Sequence, residues 1–333
     1  MQLHLFRLLF IVGILTGLAE ARDAVNGFKF ELASWPVAAR ANESMPVKMY
    51  FPTEGAGPFP VVIVSHGLGG SREGLKYLGE YWAAHGYVSI HLQHIGSDES
   101  IFRDGLKNGK QGLLQSAMGA ANAEQYLRRV EDVKAALDQL QTLNADPKSP
   151  LKGKLDLQHI AIAGHSFGAI TAEAMCGQVA MRGGKETSVY DSRIKAGLIF
   201  SPSPPKLGDP KKAFAKIAVP MFHWTGTKDD SQIPGDATAA DRRVPFDSIA
   251  ATDQYLVTLQ GGDHMIFNGR VIKNDRLHPD DEKFRELICA GSTLFLDTYL
   301  KDEAQARNSL QKGAFEKELG RYGKFEEKLL PAK

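Results

Sequence analysis

The strongest chemical signal in this chain is a serine held between glycines, Gly164-His165-Ser166-Phe167-Gly168. A serine hydroxyl is a weak nucleophile until the backbone presents it and a base takes its proton. The flanking residues supply the presentation. Ile160-Ala161-Ile162-Ala163 reads as a strand, and Ala169-Ile170-Thr171-Ala172-Glu173-Ala174 as a helix. A serine on the sharp turn between them stands above the sheet with its Oγ exposed. The glycines leave room for that turn, and the helix N-terminus adds positive potential near a developing oxyanion. A second glycine-rich turn lies upstream, where Val61-Val62-Ile63-Val64 runs into Ser65-His66-Gly67-Leu68-Gly69-Gly70. The backbone N–H groups of Leu68 and Phe167 are the expected pair of oxyanion donors. A phosphate cradle fits less well: these glycines do not match G-x-G-x-x-G, and no Walker lysine follows.

Ten histidines are available as base. Only His264 follows a strand-like run on a glycine-rich turn, Gln260-Gly261-Gly262-Asp263-His264, from which Nε2 can reach Ser166. His91 and His94 lie three apart, a spacing too sparse in further ligands to indicate a metal, and His223 falls inside a strand. An acid should stand between nucleophile and base in chain order, to hold the imidazole tautomer. Thr225-Gly226-Thr227-Lys228-Asp229-Asp230 offers two. Asp229 lies three after Gly226, the commoner spacing in such folds, and is preferred. Asp230, four before Pro234, is the alternative.

The elements that must position these residues alternate along the chain. Strand-like runs fall at 47–51, 61–65, 87–92, 160–163, 197–201, 219–224 and 254–259. Helical patterns fall at 73–85, 120–143, 166–180 and 281–300, the second with Leu127, Val130, Val133, Ala136, Leu137 and Leu140 on one face. Near-continuous apolar strands alternating with helices predict an α/β doubly wound, mostly parallel sheet with helices on both faces. Residues 22–333 read as one domain, with lid-like insertions near 93–119 and 231–250. From Lys301 the charged tail reads as partly helical and packed on the outside.

The first residues read as an export signal. Arg7 precedes the apolar run 8–18, and Ala19-Glu20-Ala21 fits the small-x-small cleavage pattern, so residues 1–21 would be removed. That run is shorter than the ~20 residues needed to span a bilayer, and the expected location is secreted or periplasmic. A formal net charge of +1 excludes the one-sided basic field of a nucleic-acid binder. The 2 cysteines, Cys176 and Cys289, announce no disulfide framework by spacing, leave one bridge and two buried free thiols equally open, and have no nucleophile's surroundings.

Taken together, Ser65-His66-Gly67-Leu68-Gly69-Gly70, His94-Ile95-Gly96-Ser97-Asp98, Gly164-His165-Ser166-Phe167-Gly168-Ala169, Gly226-Thr227-Lys228-Asp229-Asp230 and Gly262-Asp263-His264 resemble the α/β-hydrolase superfamily. The nearest branch holds dienelactone-hydrolase-like esterases, platelet-activating factor acetylhydrolases and secreted polyesterases. The resemblance implies Ser166 as nucleophile, His264 as base, Asp229 as acid, and Leu68 and Phe167 as oxyanion donors. It implies hydrolysis of a small or lipid-like carboxylic ester through an acyl-enzyme, with no cofactor or metal. Dienelactone hydrolases carry cysteine in the elbow, and this chain carries serine. Residues 94–98 read as structural. A serine peptidase or amidase of the same fold, and a non-catalytic binding protein, are the competing expectations.

Overall fold

The computed structural model describes residues 27–41, 43–105, 109–182, 185–231, 233, 235–269 and 278–331. The expected signal segment, 1–21, lies outside these residues. The strands among them are β1 (Phe28–Val37), β2 (Glu43–Pro52), β3 (Phe59–Ser65), β4 (Val88–Leu92), β5 (Leu155–His165), β6 (Val179–Arg182), β7 (Lys185–Ser188), β8 (Ile194–Phe200), β9 (Met221–Lys228), β10 (Gln254–Asp263) and β11 (Gly323–Lys328). All but β6 and β7, which pair with each other, join one nine-stranded sheet in the order β1-β2-β4-β3-β5-β8-β9-β10-β11. Its centre, from β4 through β10, is parallel. Antiparallel strands close both edges: β2 on β4 with β1 outside it, and β11 on β10.

The helices are α1 (Lys76–Ala84), α2 (Ile101–Gly105), α3 (Gly109–Ala120), α4 (Ala123–Ala145), α5 (Phe167–Met175), α6 (Pro210–Phe214), α7 (Val244–Ser248), α8 (Asp281–Leu300), α9 (Ala304–Gln311) and α10 (Ala314–Leu319). Unbroken apolar strands leave no sheet face for water, so both faces must be covered. On one, α4 brings Val130, Val133, Ala136, Leu137 and Leu140 against the sheet beside Ala169, Ala172 and Met175 of α5. On the other, α1 contributes Leu78 and Trp82, and α8 contributes Phe284, Leu287, Ile288 and Phe295. This is the mostly parallel, two-faced sheet of the α/β-hydrolase fold. Among the described residues no helix is long and apolar enough to cross a membrane.

Three expectations need correction. The helix read over 166–180 stops at Met175, because Gly177 turns to φ +119° and the chain enters β6. The lid-like insertion near 93–119, read without helices, carries α2 and α3. The tail is not merely an external helix: after α9 and α10 it adds β11 to the sheet, with Leu310, Phe315 and Leu319 fully buried. Cys176 and Cys289 are both free and belong to the cores on opposite faces.

Candidate active site

β5 delivers Ser166 to a turn that α5 leaves at once. Ser166 sits at φ +56°, ψ −115°, a backbone state costly for any residue with a Cβ and typical of functional sites. Its N–H is held by Phe200 O at 2.9 Å. The flanking glycines are sterically required. A Cβ on Gly164 would lie 2.0 Å from Gly168 O, and one on Gly168 would lie 2.0 Å from Ser65 O. Helix, strand and neighbouring strand end thus meet without side chains between them, and Ser166 is left half-buried at the top.

His264 arrives on the turn after β10. Asp263 Oδ1 accepts from Met265 N at 2.9 Å and Ile266 N at 3.1 Å, which fixes that turn. His264 Nε2 stands 3.0 Å from Ser166 Oγ, and Nδ1 stands 2.7 Å from Asp229 Oδ1. A carboxylate can only accept, so the proton sits on Nδ1 and Nε2 is free to take one from the serine. Asp229 is fully buried after β9, where Thr225 Oγ1 donates to Oδ2 at 2.8 Å. Asp230 faces solvent instead and accepts from Ala239 N at 2.8 Å. Of the two candidate acids, then, Asp229 meets His264 and Asp230 caps a turn.

Two supports escape a motif search. Arg242, buried in the second insertion, donates through Nε to Asp229 O at 3.0 Å and through Nη1 to Ser203 Oγ at 2.7 Å. Its Nε also lies 3.5 Å from Asp229 Oδ1. Its Nη2 comes within 3.3 Å of His264 Nδ1, but both atoms carry hydrogens, so this is proximity and not a bond. His165, the elbow residue before Ser166, donates from Nε2 to His264 O at 2.8 Å. Burial, with the neighbouring His264, pushes its pKa well below the ordinary value and keeps it neutral. Nothing in the sequence signals Arg242, whose partners lie 13 to 41 residues away.

The loop of residues 66–70 borders the serine, since a Cβ on Gly67 would lie 3.5 Å from Ser166 Cβ. Among the described residues, no backbone carbonyl accepts from Leu68 N. Phe167 opens α5, so its N–H has no partner within the helix. Phe102 of α2 covers the loop: a Cβ on Gly69 would fall 2.0 Å from its ring.

Beneath the loop lies a buried polar network. Ser65 Oγ meets His94 Nε2 at 2.8 Å, and His94 Nδ1 meets Asp132 Oδ2 at 2.8 Å. Asp132 also takes a short bond from Arg40. Burial raises the Asp132 pKa to about 6, against the pull of Arg40. His91 bonds Ser89 and Gly74 O, and His223 bonds Gln254. Neither histidine joins a set of three or more potential metal ligands among the described residues.

Comparison with known proteins agrees with this architecture. The family model described as platelet-activating factor acetylhydrolase, isoform II, matches residues 15–222, a stretch holding Leu68, Ser166 and Phe167 but ending before Asp229 and His264. A platelet-activating factor acetylhydrolase of Cavia porcellus is 27% identical over 202 residues, 54% of this chain and 42% of the relative. One from Bos taurus is 24% identical over 232 residues, 63% of this chain and 48% of the relative. The matched stretch therefore spans somewhat less than half the length of these relatives. With well over half of its residues matched by the family model, the chain belongs to the platelet-activating factor acetylhydrolase, isoform II, family.

Proposed function

We propose that the chain is a serine carboxylic-ester hydrolase working through an acyl-enzyme. The observation that carries this reading is the continuous relay from Ser166 Oγ through His264 to Asp229, at 3.0 and 2.7 Å. Ser166 attacks the ester carbonyl as His264 Nε2 takes its proton. Leu68 N–H and Phe167 N–H receive the oxyanion. His264 then returns the proton to the leaving alcohol, water repeats the attack on the acyl-serine, and the acid departs. Asp229 holds the Nδ1 proton and stabilises the imidazolium. Each oxyanion donor is worth roughly 3 kcal/mol in comparable enzymes.

The names of the relatives point to a lipid-like ester with a short acyl group. Phe102 packs on the loop of residues 66–70 and Arg242 holds the acid from behind, so each insertion supplies a residue that supports the site. Cleavage after Ala21 would release the enzyme outside the cytoplasm, and N-terminal sequencing of the purified product should begin at Arg22. The decisive assay is a panel of p-nitrophenyl esters of rising acyl length beside peptide nitroanilides. Turnover should be greatest on the shortest esters and lost in Ser166→Ala. Peptide turnover without ester turnover would overturn the assignment.

A further inference from the structure

The Gly67–Leu68 peptide can serve the reaction only if it faces the right way. In a trans peptide the carbonyl and the N–H point to opposite sides, so whatever grips Gly67 O also aims Leu68 N–H. Three donors converge on Gly67 O: His66 Nδ1 at 2.6 Å, Gly70 N at 3.1 Å and Arg129 Nη2 at 3.4 Å. Arg129 Nη1 holds the preceding carbonyl, His66 O, at 2.6 Å. The His66 tautomer is itself fixed, because Nε2 accepts from His94 N at 3.0 Å and Nδ1 must therefore carry the proton. Arg129 also lies over the Phe167 ring, 4.3 Å from its centroid. One buried guanidinium thus touches the Phe167 ring and the carbonyl of the peptide whose N–H belongs to Leu68.

We propose that Arg129 and His66 are positioning residues for the oxyanion hole, locking the Gly67–Leu68 peptide with its N–H toward Ser166. The proposal rests on the serine-hydrolase reading above. Without these two side chains only Gly70 N still holds the Gly67 carbonyl, and rotation of the peptide would turn that oxygen toward a developing negative charge.

The test compares Arg129→Met, Arg129→Lys and His66→Phe with the parent in p-nitrophenyl acetate hydrolysis. It adds inhibition by an alkyl trifluoromethyl ketone, whose adduct with the serine carries an oxyanion. Each variant should lose about 100-fold in kcat, the cost of one missing oxyanion donor, with KM almost unmoved. Inhibitor affinity should fall by the same factor as kcat/KM, while the acid limb of the pH profile stays in place. Full activity in the variants would overturn the proposal. So would lost rate with unchanged inhibitor affinity, or a displaced acid limb, either of which assigns the effect to the triad or the fold. If Arg129→Met does not fold, Arg129→Lys keeps the buried charge but lacks the fork that grips two carbonyls, and it gives the same readouts. Turnover surviving in Ser166→Ala would sink the serine reading itself, whereas an inactive Ser166→Ala beside fully active Arg129 variants would sink this proposal alone.

Discussion

Ser65, His94 and Asp132 repeat the residue types and hydrogen-bond order of Ser166, His264 and Asp229. Spacing within the two sets differs by no more than 0.2 Å at either contact. Their surroundings differ entirely. Ser65 is 0% exposed, and His94 and Asp132 1% each, beneath the sheet end. Ser166 and His264 are half-buried at a turn. Ser65 continues a regular strand, whereas Ser166 takes a strained backbone and has the N–H of Phe167 beside it. Three aligned side chains are therefore insufficient. Reactivity also needs access, which the buried inner set lacks. Its role is to tie the end of β3, the segment after β4 and α4 into one support for the loop above.

The two sets can be separated most sharply at their serines. Ser166→Ala should lower kcat/KM by about 10⁴-fold or more, while Ser65→Ala should leave turnover nearly intact and lower unfolding stability by about 1–3 kcal/mol through the loss of a buried hydrogen bond. A fluorophosphonate should add its mass to the peptide containing Ser166 and leave the one containing Ser65 unchanged. Asp229→Asn should reduce kcat about 10⁴-fold by favouring the wrong tautomer, with little change in melting. Asp132→Asn should do the reverse and destabilise by about 1–3 kcal/mol, because it disturbs the buried bond to His94 while Arg40 keeps Glu43 and Glu131. Denaturant melts beside steady-state rates would check both, and comparable rate losses at the two aspartates would erase the distinction.

A smaller effect concerns pH. Burial lowers the His91 pKa to about 3. A depressed folded pKa means the unfolded chain takes up the proton first. Stability from this site is complete above pH 6.5 and declines as pH falls from there toward 3, by roughly 2 kcal/mol at pH 5. His91→Phe should flatten that part of a melting curve taken against pH. The smallest effect is expected at Asp230→Ala, whose rate should stay within about twofold of the parent, as is usual for a surface substitution. A large loss there would return the acid to the neighbouring position.

Local rules made the elbow, the glycine turns and the parallel strands readable from sequence, because each is dictated by its own few residues. The acid was sought between Ser166 and His264 because that is the fold's usual chain order, and the spacing after Gly226 preferred Asp229, the residue that lies 2.7 Å from His264 Nδ1. Arg242, Arg129 and Asp132 were unreadable for the opposite reason: each acts on partners tens of residues distant, and an isolated charged residue in a helix or loop carries no sign of burial. β1 was missed because its large apolar residues divide: Phe28, Phe30 and Leu32 are exposed on an edge strand, and only Trp35 and Val37 near its end are buried. β11, GKFEEK, reads as a charged surface segment with only Phe325 turned into the core.

That last strand has a consequence for biogenesis. β10 is the youngest of the parallel strands, and its outer row of amides and carbonyls is satisfied by residues 323–328. Until those residues emerge from the ribosome or a translocation channel, a row of open hydrogen-bonding groups invites pairing with another chain. Shortening the chain before Gly323 should consequently yield insoluble material even though every residue of the reaction centre would still be present.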